Sequence, residues 1–177
     1  LFSIYRKLKM KIAVVLFNLG GPDSLEAVEP FLFNLFSDKD IFKLPFGQKL
    51  FAKIISNKRS PKVQKEYDLI GGKSPLNEWT EIQRKMLEEK LQNNFENIFV
   101  FTAMRYWNPI TKDVAENIKS QNFDKIILLP LYPHYSISTT SSSFNEWDRC
   151  FTPNKEKVFR VNNYQTNPFY ISAINEI

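Results

Sequence analysis

Residues 12–22 carry the sequence IAVVLFNLGGP, in which an apolar run leads through a polar residue into a glycine turn. A continuous apolar run is typical of a parallel strand covered on both faces. Similar runs follow at residues 98–102 and 126–132, with a weaker one at 158–161. Amphipathic patterns alternate with them and predict helices at residues 24–36, 61–69, 77–91 and 111–120. The alternation indicates an α/β fold with a parallel sheet and helices on both faces.

Local signals refine the predicted helices. Asp23 with Glu26 is typical of a capping box and predicts a helix that begins directly after the glycine turn. Pro30 should kink or split that helix. Trp79, Ile82 and Met86, with Leu91, recur at helical spacing and are expected to face the core.

Composition limits the classes of protein to consider. The chain has 177 residues, a formal net charge of +5 and one cysteine, Cys150, so an internal disulfide is excluded and a reducing compartment fits. The longest apolar runs are too short to span a membrane, and the basicity is below that of a nucleic-acid binder. We expect a cytoplasmic protein in which residues 1–9 are an N-terminal extension and residues 10–177 form one domain.

Three motifs follow predicted strands: NLGGP at residues 18–22, RYWNP at 105–109 and LYPHYSISTT at 131–140. The carboxyl ends of parallel strands meet at one edge of a sheet, so one ligand cleft is implied there. Aromatic side chains beside Arg105 suit a flat, anionic, conjugated ligand. Each motif also has a plainer interpretation as a turn or a cap, and His134, the single histidine, is more simply structural than catalytic.

Two further segments are informative. GGKSPL at residues 71–76 predicts a helix-to-helix turn, with Asn77 as the cap of the second helix. Residues 31–55 hold more large apolar side chains than one helix face can bury, interleaved with lysines. They either join the core or form an apolar lip that receives a flat hydrophobic ligand or rests on an anionic membrane surface.

Together with residues 31–45 and KRSPKVQ at 58–64, these motifs resemble those of the ferrochelatases, in the family's order and at about its spacing. The resemblance runs from about Lys11 to the end. It implies a flavodoxin-like domain, one of the family's two similar domains, and a haem-biosynthesis lyase whose substrates are ferrous iron and protoporphyrin IX. No further cofactor and no nucleic acid is expected for this half, and residues 31–55 are the expected place of peripheral contact with the inner membrane.

The resemblance also implies a set of site residues. Arg105 and Tyr106 match the pair beside the metal and are the expected catalytic residues. The other matching positions line the porphyrin pocket or its hydrophobic lip: Leu19, Leu35, Ile41, Pro45, Arg59, Ser74 and Ser138. Two departures are His134, where many relatives have glutamine, and Ser141, where many have glycine.

The same resemblance places the family's catalytic histidine and its acidic partner beyond Ile177, so no metal ligand is expected in this chain. Two alternatives to a ferrochelatase therefore stay open. One is a porphyrin- or haem-binding half-domain without catalysis, and the other is a chelatase for another tetrapyrrole or metal.

Overall fold

The computed structural model describes residues 10–151 and 155–176, so the predicted extension at residues 1–9 lies outside the described residues. Four parallel strands form a sheet in the order β2-β1-β3-β4. The strands are β1 Ile12–Asn18, β2 Ile98–Met104, β3 Lys125–Pro130 and β4 Val158–Arg160. The helices are α1 Val28–Phe36, α2 Gln48–Asp68, α3 Leu76–Gln92, α4 Thr111–Ser120, α5 Ser142–Cys150 and α6 Pro168–Asn175. This confirms an α/β, flavodoxin-like fold.

β1 is the centre of the sheet, and every residue of Ile12–Asn18 is buried. It pairs in parallel with β2 on one side and with β3 on the other, in a register that sets Asn18 beside Met104 and Phe17 beside Pro130. The apolar runs therefore became strands as predicted, because parallel strands need apolar side chains on both faces. Their carboxyl ends lie at one edge.

The two faces of the sheet have separate cores. On one face, Phe17 packs edge-on against Phe144 and Trp147 of α5, with centroid distances of 6.1 and 5.9 Å, and α4 joins the same cluster. On the other face, Leu87 and Leu91 of α3 pack against Val14 and its neighbours. Helices thus cover both faces, as expected.

α1 and α2 form a helical pair with a third core of their own around Val28, Leu32 and Phe36. The expected helix at residues 61–69 was too short, because α2 begins at Gln48 and contains Pro61 in its interior. Its buried residues are small or polar and four apart: Gln48, Ala52, Ser56 and Ser60. A helix that packs through small residues shows no apolar period, which explains the missed first half.

The start of α1 also differs from expectation. The helix begins at Val28, not Ser24, and Ser24 Oγ accepts the Ala27 N–H at 3.2 Å where Asp23 was expected to cap. Pro30 is the third residue of a helix that is continuous from Val28 to Phe36, so it does not split the helix. Its missing N–H costs nothing there, because N–H groups in the first turn have no partner within the helix.

The expected core stripe of α3 was wrong for three of its four residues. Trp79, Ile82 and Met86 are exposed, at 61%, 45% and 65% of their full surface. The helix instead turns a polar seam to the edge of the sheet, where Arg84 Nη1 donates to Val100 O at 3.1 Å and Glu88 Oε1 accepts Val100 N–H at 2.9 Å. Satisfying the open backbone groups of edge strand β2 decides which side of α3 faces inward.

None of the helices in the described part of the chain has the length and apolarity needed to cross a bilayer.

Candidate functional site

The glycine turn after β1 lies against the loop after β2. Arg105 N–H donates to Asn18 O at 2.9 Å, and Tyr106 N–H donates to Leu19 O at 2.9 Å. Leu19 itself is half-buried at this edge. Two of the three strand-end motifs therefore meet directly, as the parallel sheet predicted.

The same glycine turn is locked from the other side by the start of α3. Asn77 Nδ2 donates to Gly21 O at 2.8 Å, and Asn77 Oδ1 accepts Gly21 N–H at 3.1 Å. The expected helix cap at Asn77 was therefore wrong, since α3 begins at Leu76 and the Asn77 side chain holds the turn instead. Residues 71–76 do form the predicted turn between two helices, and Gly71 and Gly72 adopt φ angles of 96° and 79°.

Ser74 packs tightly into this junction. Its N–H donates to Pro22 O at 2.8 Å, and its side chain is buried against Gly21. A Cβ atom built on Gly21 would lie 2.3 Å from Ser74 Oγ, so only glycine fits. Ser74 thus packs directly against the glycine turn and holds its backbone in place.

Arg105 and Tyr106 belong to a buried polar cluster, here called the Asp38 network, whose other members are Asp38 and Ser142. Tyr106 Oη donates to Asp38 Oδ2 at 2.6 Å, and Ser142 Oγ donates to the same oxygen at 2.5 Å. Arg105 Nη2 lies 3.0 Å from that oxygen, while Arg105 Nε donates to Ser142 Oγ at 2.8 Å. The side chain of Asp38 is fully buried, and that of Arg105 is 11% exposed.

The electrostatics of this network favour an ionised Asp38. Burial raises the pKa of the Asp38 carboxyl, but hydrogen bonds from Ser142, Tyr106 and the Asp40 N–H, with the charge of Arg105, bring it below its ordinary value. For Tyr106, burial and the bond to Asp38 raise the pKa, so the phenol stays protonated. The network holds one carboxylate and one guanidinium in fixed positions.

The third strand end approaches the same edge through its backbone. Leu131 N–H donates to Phe17 O at 2.8 Å, and a π-helix follows at Ile137–Ser141. Ser138 is exposed there, and its Oγ lies 2.9 Å from Ser136 Oγ. His134 is also exposed, so the structural role favoured for its side chain stays a prediction.

The apolar segment at residues 31–55 does two things at once. Phe36 is buried and packs on Phe42 at 5.3 Å between ring centroids, so part of the segment joins the core. The remainder is exposed and includes Phe46, which shows 90% of its surface. We call the exposed part the apolar lip; it comprises Leu44, Phe46, Leu50 and Ile54 among the exposed lysines Lys43, Lys49 and Lys53. Of the expected lip residues, Leu35 and Ile41 are half-buried and Pro45 is exposed.

Arg59 lies on the exposed side of α2, with its guanidinium 5.7 Å from the centre of the Phe36 ring. It lines a groove of about 250 Å³ together with Lys58, Lys62 and the apolar side chains Ile55 and Val63. In the part of the chain that the structure describes, no hydrogen bond or ion pair joins Arg59 or Ser138 to the Asp38 network. Of the expected site residues, Leu19, Ser74, Arg105 and Tyr106 are therefore joined through the glycine turn by backbone hydrogen bonds.

The sequence analysis missed two members of the network. Asp38 comes shortly after a largely apolar helix, but Asp40 stands two residues later, so the sequence does not single out the buried acid. Ser142 lay within the hydroxyl-rich stretch after the third strand but could not be told apart from its neighbours. Among the residues that the structure describes, no three side chains of the metal-binding types converge on one point.

Comparison with known proteins gives a consistent result. The family model described as Ferrochelatase matches residues 11–177. The ferrochelatase of Aquifex aeolicus is 50% identical over 167 residues, which are 93% of this chain and 53% of that protein. That of Geotalea uraniireducens is 49% identical over 93% of this chain and 52% of its own length, and that of a Wolbachia strain is 53% identical over 79% and 45%. The chain spans about half the length of the curated relatives it matches, and it belongs to the ferrochelatase family.

Proposed function

We propose that this chain is the N-terminal half of a ferrochelatase, which inserts ferrous iron into protoporphyrin IX. The observation that carries the proposal is the junction at the carboxyl edge of the sheet, where the backbone of Arg105 and Tyr106 is bonded to that of Asn18 and Leu19. In open α/β sheets this edge is where ligands bind.

Metal insertion needs two pyrrole protons removed and the flat ring distorted so that its nitrogen lone pairs meet the ion. In this proposal the half-buried side chain of Leu19 packs against the ring. Arg105 presents a guanidinium that its partners keep from moving, and Tyr106 supports it from inside, since its own hydroxyl donates to Asp38. Ring distortion is favoured by such rigid walls.

The propionates of the porphyrin have a matching surface on α2. Arg59, Lys58 and Lys62 line one groove with Ile55, Val63 and Glu66, whose carboxylate lies 3.9 Å from Lys62 Nζ. A carboxylate gains from charge-assisted hydrogen bonds to the cations that outnumber Glu66, and the apolar side chains suit the edge of a macrocycle. We assign Arg59 to the carboxylate end of the porphyrin, with Leu35, Ile41 and Pro45 on its apolar side.

We propose further that the apolar lip contacts an anionic bilayer at its surface. Exposed apolar side chains ringed by lysines bind membrane interfaces by burial of the former and by attraction of the latter to anionic lipid. Sedimentation with vesicles of phosphatidylglycerol and phosphatidylcholine tests this. Phe46→Glu should abolish sedimentation, whereas Phe95→Glu, an exposed phenylalanine before β2, should not; equal binding by both variants would refute the lip.

The test of the main proposal mixes the purified chain with protoporphyrin IX and ferrous or zinc ion under anaerobic conditions. A shift of the porphyrin bands is expected on binding. Arg105→Ala should weaken insertion in the complete gene product by much more than Arg160→Ala, a matched change of a surface arginine on β4. Binding without insertion by the complete gene product would favour the non-catalytic binder, and the absence of both would refute the proposal.

A further inference from the structure

Asp38 is a buried carboxylate that gathers three side-chain donors from two separate parts of the fold. Arg105 and Tyr106 follow β2, and Ser142 is the first residue of α5. All three reach Oδ2, while the Asp40 N–H donates to Oδ1 at 2.8 Å. A buried charge is tolerated only when it is paired and hydrogen-bonded, so this arrangement is specific to a carboxylate at this position.

The geometry fixes the orientation of the Arg105 guanidinium. Its Nη2 faces Asp38 and its Nε faces Ser142, which defines the plane of the group. Glu146 Oε2 adds a weaker interaction at 3.7 Å from Nη2. Because the guanidinium is planar and its donors are rigidly spaced, two partners on one side leave it a single orientation.

A neighbouring carboxylate provides the purely structural counterpart. Asp40 ties the same segment to α5 through Arg149 at 2.8 Å and through Asn145 at 3.0 Å. The segment after α1 therefore has its own attachment to α5. Asp38 is not needed as a second attachment of that segment, and its carboxylate instead holds Arg105 directly and through Ser142.

We propose that Asp38 is the positioning residue that holds the Arg105 guanidinium in the orientation in which it meets the substrate. The contact of Arg105 with the substrate rests on the proposed function. The orientation of Arg105 by Asp38 is a property of the chain itself and is measured separately.

The first measurement is therefore independent of activity. In a sample labelled with ¹⁵N-arginine, the Nε–H signal of Arg105 should be rigid and protected from exchange in the wild type and in Asp40→Asn. In Asp38→Asn, which keeps the shape of the side chain and removes its charge, the signal should become mobile. A rigid Arg105 signal in folded Asp38→Asn would overturn the proposal.

The second measurement uses metal insertion by the complete gene product. A misplaced site group costs about 100-fold in rate, so Asp38→Asn should lower kcat by about that factor with little change in KM, while Asp40→Asn should retain the wild-type rate. In an Arg105→Ala background, Asp38→Asn should cost no further activity even though it still lowers the melting temperature. An additive loss, or unchanged kcat in Asp38→Asn, would overturn the proposal.

The orientation of Arg105 stays testable even if the wild type inserts no metal or if Asp38→Asn does not fold. If the wild type inserts no metal, the proposed function fails, while the Arg105 signal still decides whether Asp38 orients that side chain. If Asp38→Asn does not fold, Ser142→Ala removes the Nε partner and one donor of Asp38 but leaves the carboxylate in place, and the Arg105 signal should again become mobile. An unaltered signal in Ser142→Ala would then count against the network as the source of the orientation.

Discussion

Replacing Gly21 with alanine tests whether the glycine turn and the start of α3 are packed as tightly as the geometry indicates. The new Cβ would lie 2.3 Å from Ser74 Oγ and 2.4 Å from Ser74 Cβ, so one of the two segments must move. Gly21 is not among the glycines with positive φ, so the cost is steric and not conformational. Overpacking of this kind costs about 3 kcal/mol at the upper end of the usual range.

That cost converts into a measurable shift. For a chain of this size each kcal/mol lowers the melting temperature by about 2–4 °C, so Gly21→Ala should melt about 6–12 °C below the wild type. Ser74→Gly removes the clashing side chain and loses a 3.3 Å hydrogen bond from the Leu76 N–H, at a cost of about 1 kcal/mol. The double variant should therefore keep only the cost of Ser74→Gly, about 1 kcal/mol, which corresponds to a coupling of about 3 kcal/mol.

Urea unfolding of the four proteins measures this cycle. Gly47→Ala is the matched control, because Gly47 has a φ of 72° with nothing within 4 Å of its built Cβ. It should cost about 1–2 kcal/mol from backbone strain alone, and Ser74→Gly should add to that cost without rescuing it. Equal stability of Gly21→Ala and the wild type, or a double variant no better than Gly21→Ala, would refute the packing argument.

Three other predictions follow from the core, the buried charge and the exposed stripe. Trp147→Ala should lower the free energy of unfolding by about 3–5 kcal/mol in urea titration, because Trp147 is 1% exposed and lies between Phe17 and Phe151; a loss below about 1 kcal/mol would contradict its place in the core. The pKa of Asp38 is lowered from its ordinary value of 3.8, so the ionised carboxylate stabilises the fold above pH 3.8 and this contribution is lost as the pH falls further. The difference in unfolding free energy between wild type and Asp38→Asn should thus be constant from pH 8 to 5 and shrink on further acidification. A difference that stays constant down to pH 2.5 would argue against the ionised carboxylate. Trp79→Ser with Met86→Lys should reduce concentration-dependent association of the chain in sedimentation velocity, since both side chains are exposed on α3, and a wild type that stays monomeric at every concentration would show that the stripe does not self-associate.

Several parts of the fold could be predicted from local pattern because their physical cause is local. A strand covered on both faces needs an unbroken apolar run, and β1, β2 and β3 each show one. The turn at Gly71 and Gly72 was predictable for the same kind of reason, since positive φ angles favour glycine.

Other parts depended on distant partners and left no local signal. The first half of α2 packs through Ala52, Ser56 and Ser60, whose small side chains carry no apolar period. The orientation of α3 was decided by the open edge of β2, which a hydrophobic pattern does not register. The hydrophobic pattern therefore predicted too short a helix for α2 and the wrong buried side for α3.

The sequence by itself determined the α/β class, the apolar strands and the order of motifs that identifies the family. Tertiary structure decided which motif residues touch one another. Asp38 and Tyr106 are 68 residues apart, and Asp38 and Ser142 are 104 apart, yet they share one buried oxygen. A lone buried charge is too costly to persist without such partners, and only the folded chain brings these partners to it.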